Sequence, residues 1–342
     1  MDILSLYNRL RTHIGYYRIT KRFSKLDLPK LTREEKRLIR KTWPEIHILD
    51  IDFFNSRVYK KLHGFSPYYL SPCWYNEYRD MFNPSRQLYA LENKALCDIY
   101  FPEIKFPKVY VRCLNGHFYD ESMNMLSKEK AIENLNSYNN IIIKPSLGSN
   151  QGKGVLKVSI NDKHTDLDNL LTQYGRDFII QEVIPQAPEI SRLNPTSLNC
   201  FRVTTMLLNG HIGYSTMLKV GKAGSFKDNW NSAYCINVLP NGELDQFGYD
   251  YNFKRVEHTD NGIKFKGLIM PKYNEMISEL LRLHSKYFPN CGVIGWDVTI
   301  DTNYEVRVIE TNLCDPGTDA EQLVSGDFFK EFHKDILSYT NK

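Results

Sequence analysis

The stretch Cys291–Gly317, CGVIGWDVTIDTNYEVRVIETNLCDPG, limits the fold more than any other part of the chain. Two runs of β-branched and apolar residues, 291–300 and 305–310, flank Asp301-Thr302-Asn303-Tyr304 and predict a hairpin. Pairing Ile300 with Glu305 sets Asp297 opposite Val308 and diagonal to Glu310. Side chains alternate between the faces of a strand, so Val308, Glu310 and Asn312 then share the Asp297 face. The other face, with Ile294, Trp296, Val298, Ile300 and Ile309, is apolar and needs a core. A slip of one residue would carry Asp297 to the wrong side. The hairpin thus collects two carboxylates and an amide on one face, where the carboxylates repel and lose hydration unless something neutralises them. Mg²⁺ held together with nucleotide phosphates is one solution, because it takes oxygen ligands from one or two carboxylates and keeps phosphate and water as the rest. An acidic edge facing solvent is the other.

A chain of 342 residues is too long for one small core and points to two or three domains. With 42% hydrophobic and 25% charged residues it is globular in composition, and its net charge of +4 is mild and scattered, which argues against a dedicated nucleic-acid binder. No apolar run approaches the ~20 residues needed to span a bilayer, and the N-terminus lacks the apolar core of a secretion signal. The seven cysteines show no metal-binding spacing and are expected to be reduced, as in a cytoplasmic protein. Residues 1–30 mix Ile3, Leu4, Leu6, Tyr7, Leu10 and Ile14 with Arg9, Arg11, Arg18, Lys21, Arg22 and Lys25, the pattern of an amphipathic basic helix. The preferred reading packs that helix on its own protein. The alternative lays it peripherally on the cytoplasmic membrane face.

Further along, Leu31-Thr32-Arg33-Glu34-Glu35 predicts a capped helix running to about Trp43. A helix is expected to begin near Leu91-Glu92-Asn93-Lys94, a strand at 108–111 and a short helix at Ser127–Leu135. Asn140 to Lys144 is a buried strand ending in a lysine. The loop after it, Pro145-Ser146-Leu147-Gly148-Ser149-Asn150-Gln151-Gly152-Lys153-Gly154, leads into a return strand from Val155. Glycines there let backbone N–H groups approach phosphate oxygens and let the loop move as a lid. Lys144 could hold a phosphate as a point charge. Neither GxxxxGK[ST] nor a strand-borne GxGxxG is present, and an ordinary turn is the competing reading. The strand Phe178–Ile184 meets Pro185 and Pro188. Backbone groups at such a crossover can read an adenine edge, with Glu189 placed to accept from ribose hydroxyls; a proline-broken linker is the alternative. A hairpin follows, Cys200–Leu208 and Ile212–Val220 around Asn209-Gly210, carrying Arg202 and Lys219. Lys272–Tyr287 is a helix with Tyr273, Met276, Ile277, Leu280, Leu281 and His284 on one face, His284 at its edge. Phe328 to Leu337 closes the chain as a helix.

Taken in order, these stretches resemble the ATP-grasp superfamily over about Lys94–Gly317. The resemblance implies that Lys94 and Lys144 bind phosphates and that Gly148, Ser149, Gly152 and Lys153 belong to the lid. By the same resemblance Gln181, Glu182, Val183 and Ile184 form the adenine hinge, Glu189 the ribose acid, and Asp297, Glu310 and Asn312 the metal triad. More narrowly, Pro188-Glu189-Ile190, Leu193–Arg202, Asp228-Asn229 and Ile294-Gly295-Trp296-Asp297 look like the sugar-transfer-associated ATP-grasp family of bacterial polysaccharide clusters. One departure stands out. D-alanine ligases carry an Arg two residues before the metal Asp, where this chain has Gly295. Arg202, Lys219 and Arg307 are the candidates to replace it. Arg202 ranks first, and Arg307 is expected on the opposite face of its strand.

The implied fold is α+β: two α+β domains with antiparallel sheets gripping ATP, after a smaller, mostly helical N-terminal domain. The expected boundaries are 1–92, 93–184 for the central lid domain, and 185–342 for the C-terminal domain with the metal site. The implied chemistry is carboxylate activation. ATP with one or two Mg²⁺ gives an acyl phosphate, an amine attacks it, and an amide, ADP and phosphate result. Arg202 and Lys219 would be catalytic and, with Asp228 and Asn229, would bind substrate. The partners implied are a small-molecule or glycan acid, such as a sugar acid, and an amine or amino acid, in surface polysaccharide biosynthesis. The competing functions are phosphotransfer to a sugar hydroxyl and a non-catalytic ATP-binding subunit of a polysaccharide assembly complex.

Overall fold

The computed structural model describes residues 26–44, 53–148, 152–225 and 232–340, together with Ile14, Tyr17 and Lys21. Most of the basic N-terminal stretch, with Ser149, Gln151, Asp228 and Asn229, therefore lies outside the described residues. Two antiparallel sheets carry the architecture. The first holds β1 Val109–Leu114, β2 His117–Tyr119, β3 Met125–Leu126, β4 Asn140–Pro145, β5 Leu156–Ser159 and β6 Phe178–Gln181, in the order β3-β2-β1-β6-β4-β5. The second holds β7 Cys200–Leu208, β8 His211–Gly221, β9 Ala233–Val238, β10 Leu244–Tyr249, β11 Arg255–Val256, β12 Val293–Ile300 and β13 Val306–Asn312, in the order β11-β10-β9-β8-β7-β12-β13.

Each sheet buries one face under helices; the first turns its other face to the cleft, while the second has part of its other face covered as well. In the first, Val111, Ile141, Ile143, Phe178 and Ile180 pack under the helices Lys128–Leu135 and Leu167–Tyr174 through Ala131, Leu135, Leu167 and Leu171. Ser127 caps the first of these helices, its side chain accepting from Lys130 N. In the second, Val203, Ile294, Trp296, Val298 and Ile300 pack under the helix Tyr273–Tyr287. That helix lies over the core more deeply than its pattern suggested. Leu283, not Leu281, is fully buried, and His284 is 0% exposed, not at an edge. His284 is accommodated by Thr205 Oγ1 at 2.7 Å and the Cys291 carbonyl at 2.7 Å, and burial pushes its imidazole down to about 4, so it sits there neutral.

The N-terminal helices pack on the second sheet's other face, at the end of β7 and β12. Ile39, Trp43, Trp74, Tyr78 and Phe82 form one cluster with Met206, Leu208, Val293 and the closing helix Phe329–Thr340. The helix Arg33–Thr42 opens on a capping box, in which Thr32 accepts from Glu35 N and Glu35 accepts from Thr32 N. No described helix is long and apolar enough to cross a membrane.

Candidate active site

Directly opposed residues on neighbouring antiparallel strands share a face, and the register of the second sheet stacks charge on one of its faces. Cys200 pairs with Lys219, Arg202 with Asp297, and Asp297 with Glu310. This last pairing corrects the simple hairpin register. Ile300 pairs with Val306, not Glu305, and a bulge follows: Val298 faces Val308, Asp297 faces Glu310, and Ile309 is the extra residue. The one-residue shift of register sends Val308 into the core at 1% exposure and turns Ile309 to the cleft, the reverse of the expected faces. The bulge brings Glu310 straight across from Asp297.

The expected repulsion between these carboxylates does not arise, because each has a cation. Arg202 Nε and Nη2 donate to the two oxygens of Asp297 at 3.0 and 2.9 Å, and Lys219 Nζ stands 3.0 Å from Oδ1. Burial pushes the Asp297 carboxyl up, but the Arg202 and Lys219 charges outweigh it and hold the group well below the usual carboxylate range. Lys94 Nζ lies 3.1 Å from Glu310 Oε1. Asn312 Nδ2 donates to the Gly295 carbonyl at 3.0 Å. Gly295 explains how Arg202 fits: a Cβ there would stand 2.9 Å from Arg202 Nη1 and 3.3 Å from Pro316. The guanidinium occupies the space that a side chain at 295 would take.

Lys144 ends β4 on the facing sheet and is 5% exposed. Burial, helped by the neighbouring Lys94, pushes its ammonium down to about 8 against the opposing pull of Glu310. Lys94 is not on a helix start as expected. A 3₁₀ turn occupies Tyr89–Glu92, and Lys94 follows in a connector whose backbone N–H donates to the Ser146 carbonyl at 2.9 Å. Two residues missed in the sequence fix that connector. Arg112, 0% exposed, donates to Asp98 at 2.6 and 2.7 Å and to the Ala95 carbonyl at 2.6 Å. Glu92 Oε1 accepts from the Leu313 and Cys314 amides at 2.6 and 2.8 Å, tying Lys94 to the end of β13. Only a buried Arg within a strand and an acid two residues before Lys94 signalled them.

Between the sheets lies a cleft of about 640 Å³. Lys144, Gly152, the crossover Gln181–Ile184, Arg202, Lys219, Asp297, Glu310 and Asn312 all line it. Other sequence candidates do not. Lys94 lies in an adjoining pocket with Lys144 and Glu310. Lys153 is exposed, and Gly148, in the left-handed region at φ 68°, touches neither pocket. Glu189 stands off the cleft wall: Oε1 accepts from Tyr304 OH at 3.0 Å, and Oε2 is buried without a hydrogen-bond partner. At the crossover, Glu182 N donates to the Lys108 carbonyl at 2.9 Å, and the Glu182 carboxylate accepts from Lys108 N at 2.7 Å and from Arg307. Arg307 also donates to Asp301 and is thereby spent on latching the crossover to β13. Beside the expected residues the cleft also carries Ser197, buried with its hydroxyl unpartnered, and Glu321. Ser197 lies within the Leu193–Arg202 stretch but was not singled out there, and no motif announced Glu321.

Two antiparallel sheets closing from opposite sides on a cleft of lysines and carboxylates, joined by a crossover strand, define an ATP-grasp fold. The chain belongs to the sugar-transfer associated ATP-grasp family, whose model matches residues 74–336. Among solved structures it is similar to D-alanyl-alanine synthetase A from Vibrio cholerae, at 11% identity and TM-score 0.43 over 75% of this chain and 66% of that one. It is also similar to the D-cycloserine synthetase DcsG, at 13% identity and TM-score 0.45 over 77% and 74%, and to an L-amino acid ligase from Bacillus licheniformis, at 12% identity and TM-score 0.39 over 70% and 43%. The chain thus spans only part of the length of these proteins. No curated protein matches it.

ATP-grasp proteins act with ATP and a divalent metal, and the donor set here suits Mg²⁺. Among the described residues no three His, Cys, Asp or Glu side chains gather as a metal cluster. The triad instead offers two carboxylates and an amide whose nitrogen is engaged with Gly295, which leaves its oxygen as a donor. These are hard oxygen ligands of the kind Mg²⁺ takes alongside phosphate and water.

Proposed function

We propose that this chain is an ATP-dependent carboxylate–amine ligase that works through an acyl phosphate. The setting we infer is surface polysaccharide assembly at the cytoplasmic membrane face, with a sugar acid and an amino acid or other amine as substrates. The observation that carries the reading is the cation set in one cleft, Lys144 on one sheet and Arg202 with Lys219 on the other, beside Asp297, Glu310 and Asn312.

In this reading Lys94 and Lys144 hold ATP phosphates, and the Gln181–Ile184 crossover and Glu189 hold adenine and ribose. Gly148, Ser149, Gly152 and Lys153 close over the phosphates. Asp297, Glu310 and Asn312 hold one or two Mg²⁺, which supply charge neutralisation to the phosphates. Arg202, its two other nitrogens fixed on Asp297, keeps Nη1 for an anion, the acid or the transferring phosphoryl group, and Lys219 adds a second charge. Asp228 and Asn229 contact substrate. Such a transfer needs little more than positioning and charge stabilisation.

The test is product analysis. ATP turnover is screened against mixtures of sugar acids, amino acids and amines, and products are identified by mass spectrometry. An amide formed with ADP is the expected result. A phosphorylated sugar would replace this reading with phosphotransfer, and nucleotide binding without turnover in any mixture would replace it with a non-catalytic subunit.

A further inference from the structure

Glu321 has no part in the reaction as set out so far, yet it lines the same cleft. It lies on the short helix Asp319–Ser325 and is 1% exposed. Oε1 accepts from Thr204 Oγ1 at 2.6 Å, and Thr204 is itself fully buried on β7. Arg202, the basic group that faces it, is committed to Asp297, and among the described residues no basic side chain makes an ion pair with Glu321. The other titratable groups turned toward it are Asp319 on its own helix and Tyr59 and Tyr75 on the helices Phe53–His63 and Pro72–Phe82. A carboxyl group buried this far without a bonded cation is expensive to keep charged. Burial pushes it up to about 7, with Arg202 and the Thr204 bond opposing. It therefore exists in both protonation states near neutral pH, the condition for passing a proton efficiently.

We propose that Glu321 is the proton acceptor for the attacking nucleophile, a primary amine bound as its ammonium ion where Arg202 and the helix Asp319–Ser325 wall the cleft. This rests on the ligase reading. The ionised Glu321 carboxylate takes one proton from the ammonium group. The freed nitrogen lone pair attacks the acyl carbon, the C–N bond forms, and the acyl C–O bond to phosphate breaks with its electron pair leaving on phosphate. The second nitrogen proton departs with the phosphate as HPO₄²⁻. Glu321 then returns its own proton to solvent, and the charges and atoms of acyl phosphate plus ammonium equal those of amide, HPO₄²⁻ and one proton.

Glu321→Gln tests this, since the amide oxygen can still accept from Thr204. Wild type and variant are given Mg-ATP and a mixture of hexuronic acids and amino acids as acids. The nucleophile is either hydroxylamine, which is unprotonated at pH 7 and needs no acceptor, or the amino acid mixture. We expect the variant to make hydroxamate within about twofold of wild type while amide formation falls by about 10²-fold or more. In wild type the amide rate should rise with pH and level off above about 7, whereas the variant, which must draw on free amine, should keep rising toward the amine's own pKa. An unchanged amide rate overturns the proposal. Parallel loss of hydroxamate and amide, with the nucleotide-induced rise in Tm retained, overturns it too, because Glu321 would then act before the acyl phosphate. If Glu321→Gln does not fold, Thr204→Val, which removes the bond that aims Oε1, should lower amide but not hydroxamate formation, and equal rates would count against the role. A wild-type protein that makes neither product contradicts the ligase reading, and this proposal falls with it.

Discussion

The charge around Asp297 and the charge around Lys144 are finished differently. Asp297 is matched by the protein itself: Arg202 grips both oxygens and Lys219 one, at 2.9 to 3.0 Å. Among the described residues Lys144 has no ion-pair partner. It is 5% exposed, its neighbour Lys94 carries the same charge, and the nearby acid Glu310 is engaged by Lys94. One corner is built before any ligand arrives. The other holds desolvated positive charge that an incoming polyanion would relieve. The contrast says which residues set geometry and which take up binding energy, and substitutions can push on each separately.

The largest effect should come from Asp297→Asn. It should abolish ATP turnover and, by leaving Arg202 and Lys219 without their counter-charge, cost about 3 kcal/mol of stability. Urea unfolding without metal reads the second part; a midpoint unchanged or raised would mean that the two carboxylates repel after all and that the corner is not matched. Next is Gly295→Ala. Its Cβ would press on Arg202 Nη1 at 2.9 Å, so turnover should fall on the order of 10²-fold at saturating ATP while the fold survives. An unchanged rate would remove the guanidinium from the reaction. Lys144→Met should act oppositely on stability: ATP affinity, measured by calorimetry, falls about tenfold with loss of a charge-assisted contact, while the Tm of the free protein holds or rises as a desolvated cation disappears. A lowered Tm would show that Lys144 is matched like Asp297.

The smallest effect is a proton. Lys144 has its ammonium lowered to about 8 in the free protein against an ordinary 10.5. Between those values the unfolded chain binds more protons than the folded one, so this group makes stability rise with pH there. A bound polyanion should restore the proton. Calorimetry near pH 9 in two buffers of different ionisation enthalpy should therefore show proton uptake on ATP binding, and affinity should weaken as pH rises through about 8. No uptake at pH 9 would place Lys144 away from the phosphates.

Much of this was legible in the sequence because it follows from period. An assumed hairpin register with alternation put Asp297, Glu310 and Asn312 on one face, and the Asn209-Gly210 turn put Arg202 and Lys219 on one hairpin; the register was off by one residue, and the bulge restored the shared face. The capping signal at Thr32 fixed a helix start locally. The misses have a common cause, that a residue's partner is set by distant chain. A one-residue shift of the hairpin register moved Val308 and Ile309 to the faces opposite those expected, and the bulge at Ile309, an irregularity that no pattern of period two contains, returned Glu310 to the Asp297 face. Glu321 sits in a short helix with no motif, and its position on the cleft depends on packing behind β7. His284 looked like a helix edge because its partners, Thr205 and Cys291, come from other elements. Arg202 already ranked first among the candidates for the Arg absent at position 295; that its guanidinium fills the space a Cβ at 295 would enter was visible only in the structure.

The fate of the γ-phosphate tests the central proposal most directly. Protein is incubated with γ-labelled ATP, Mg²⁺ and the acid mixture, with and without amines, and the label is followed by chromatography. The account predicts free labelled phosphate and ADP, in quantity only when acid and amine are both present. Label attached stably to a sugar, formed without any amine, would contradict it.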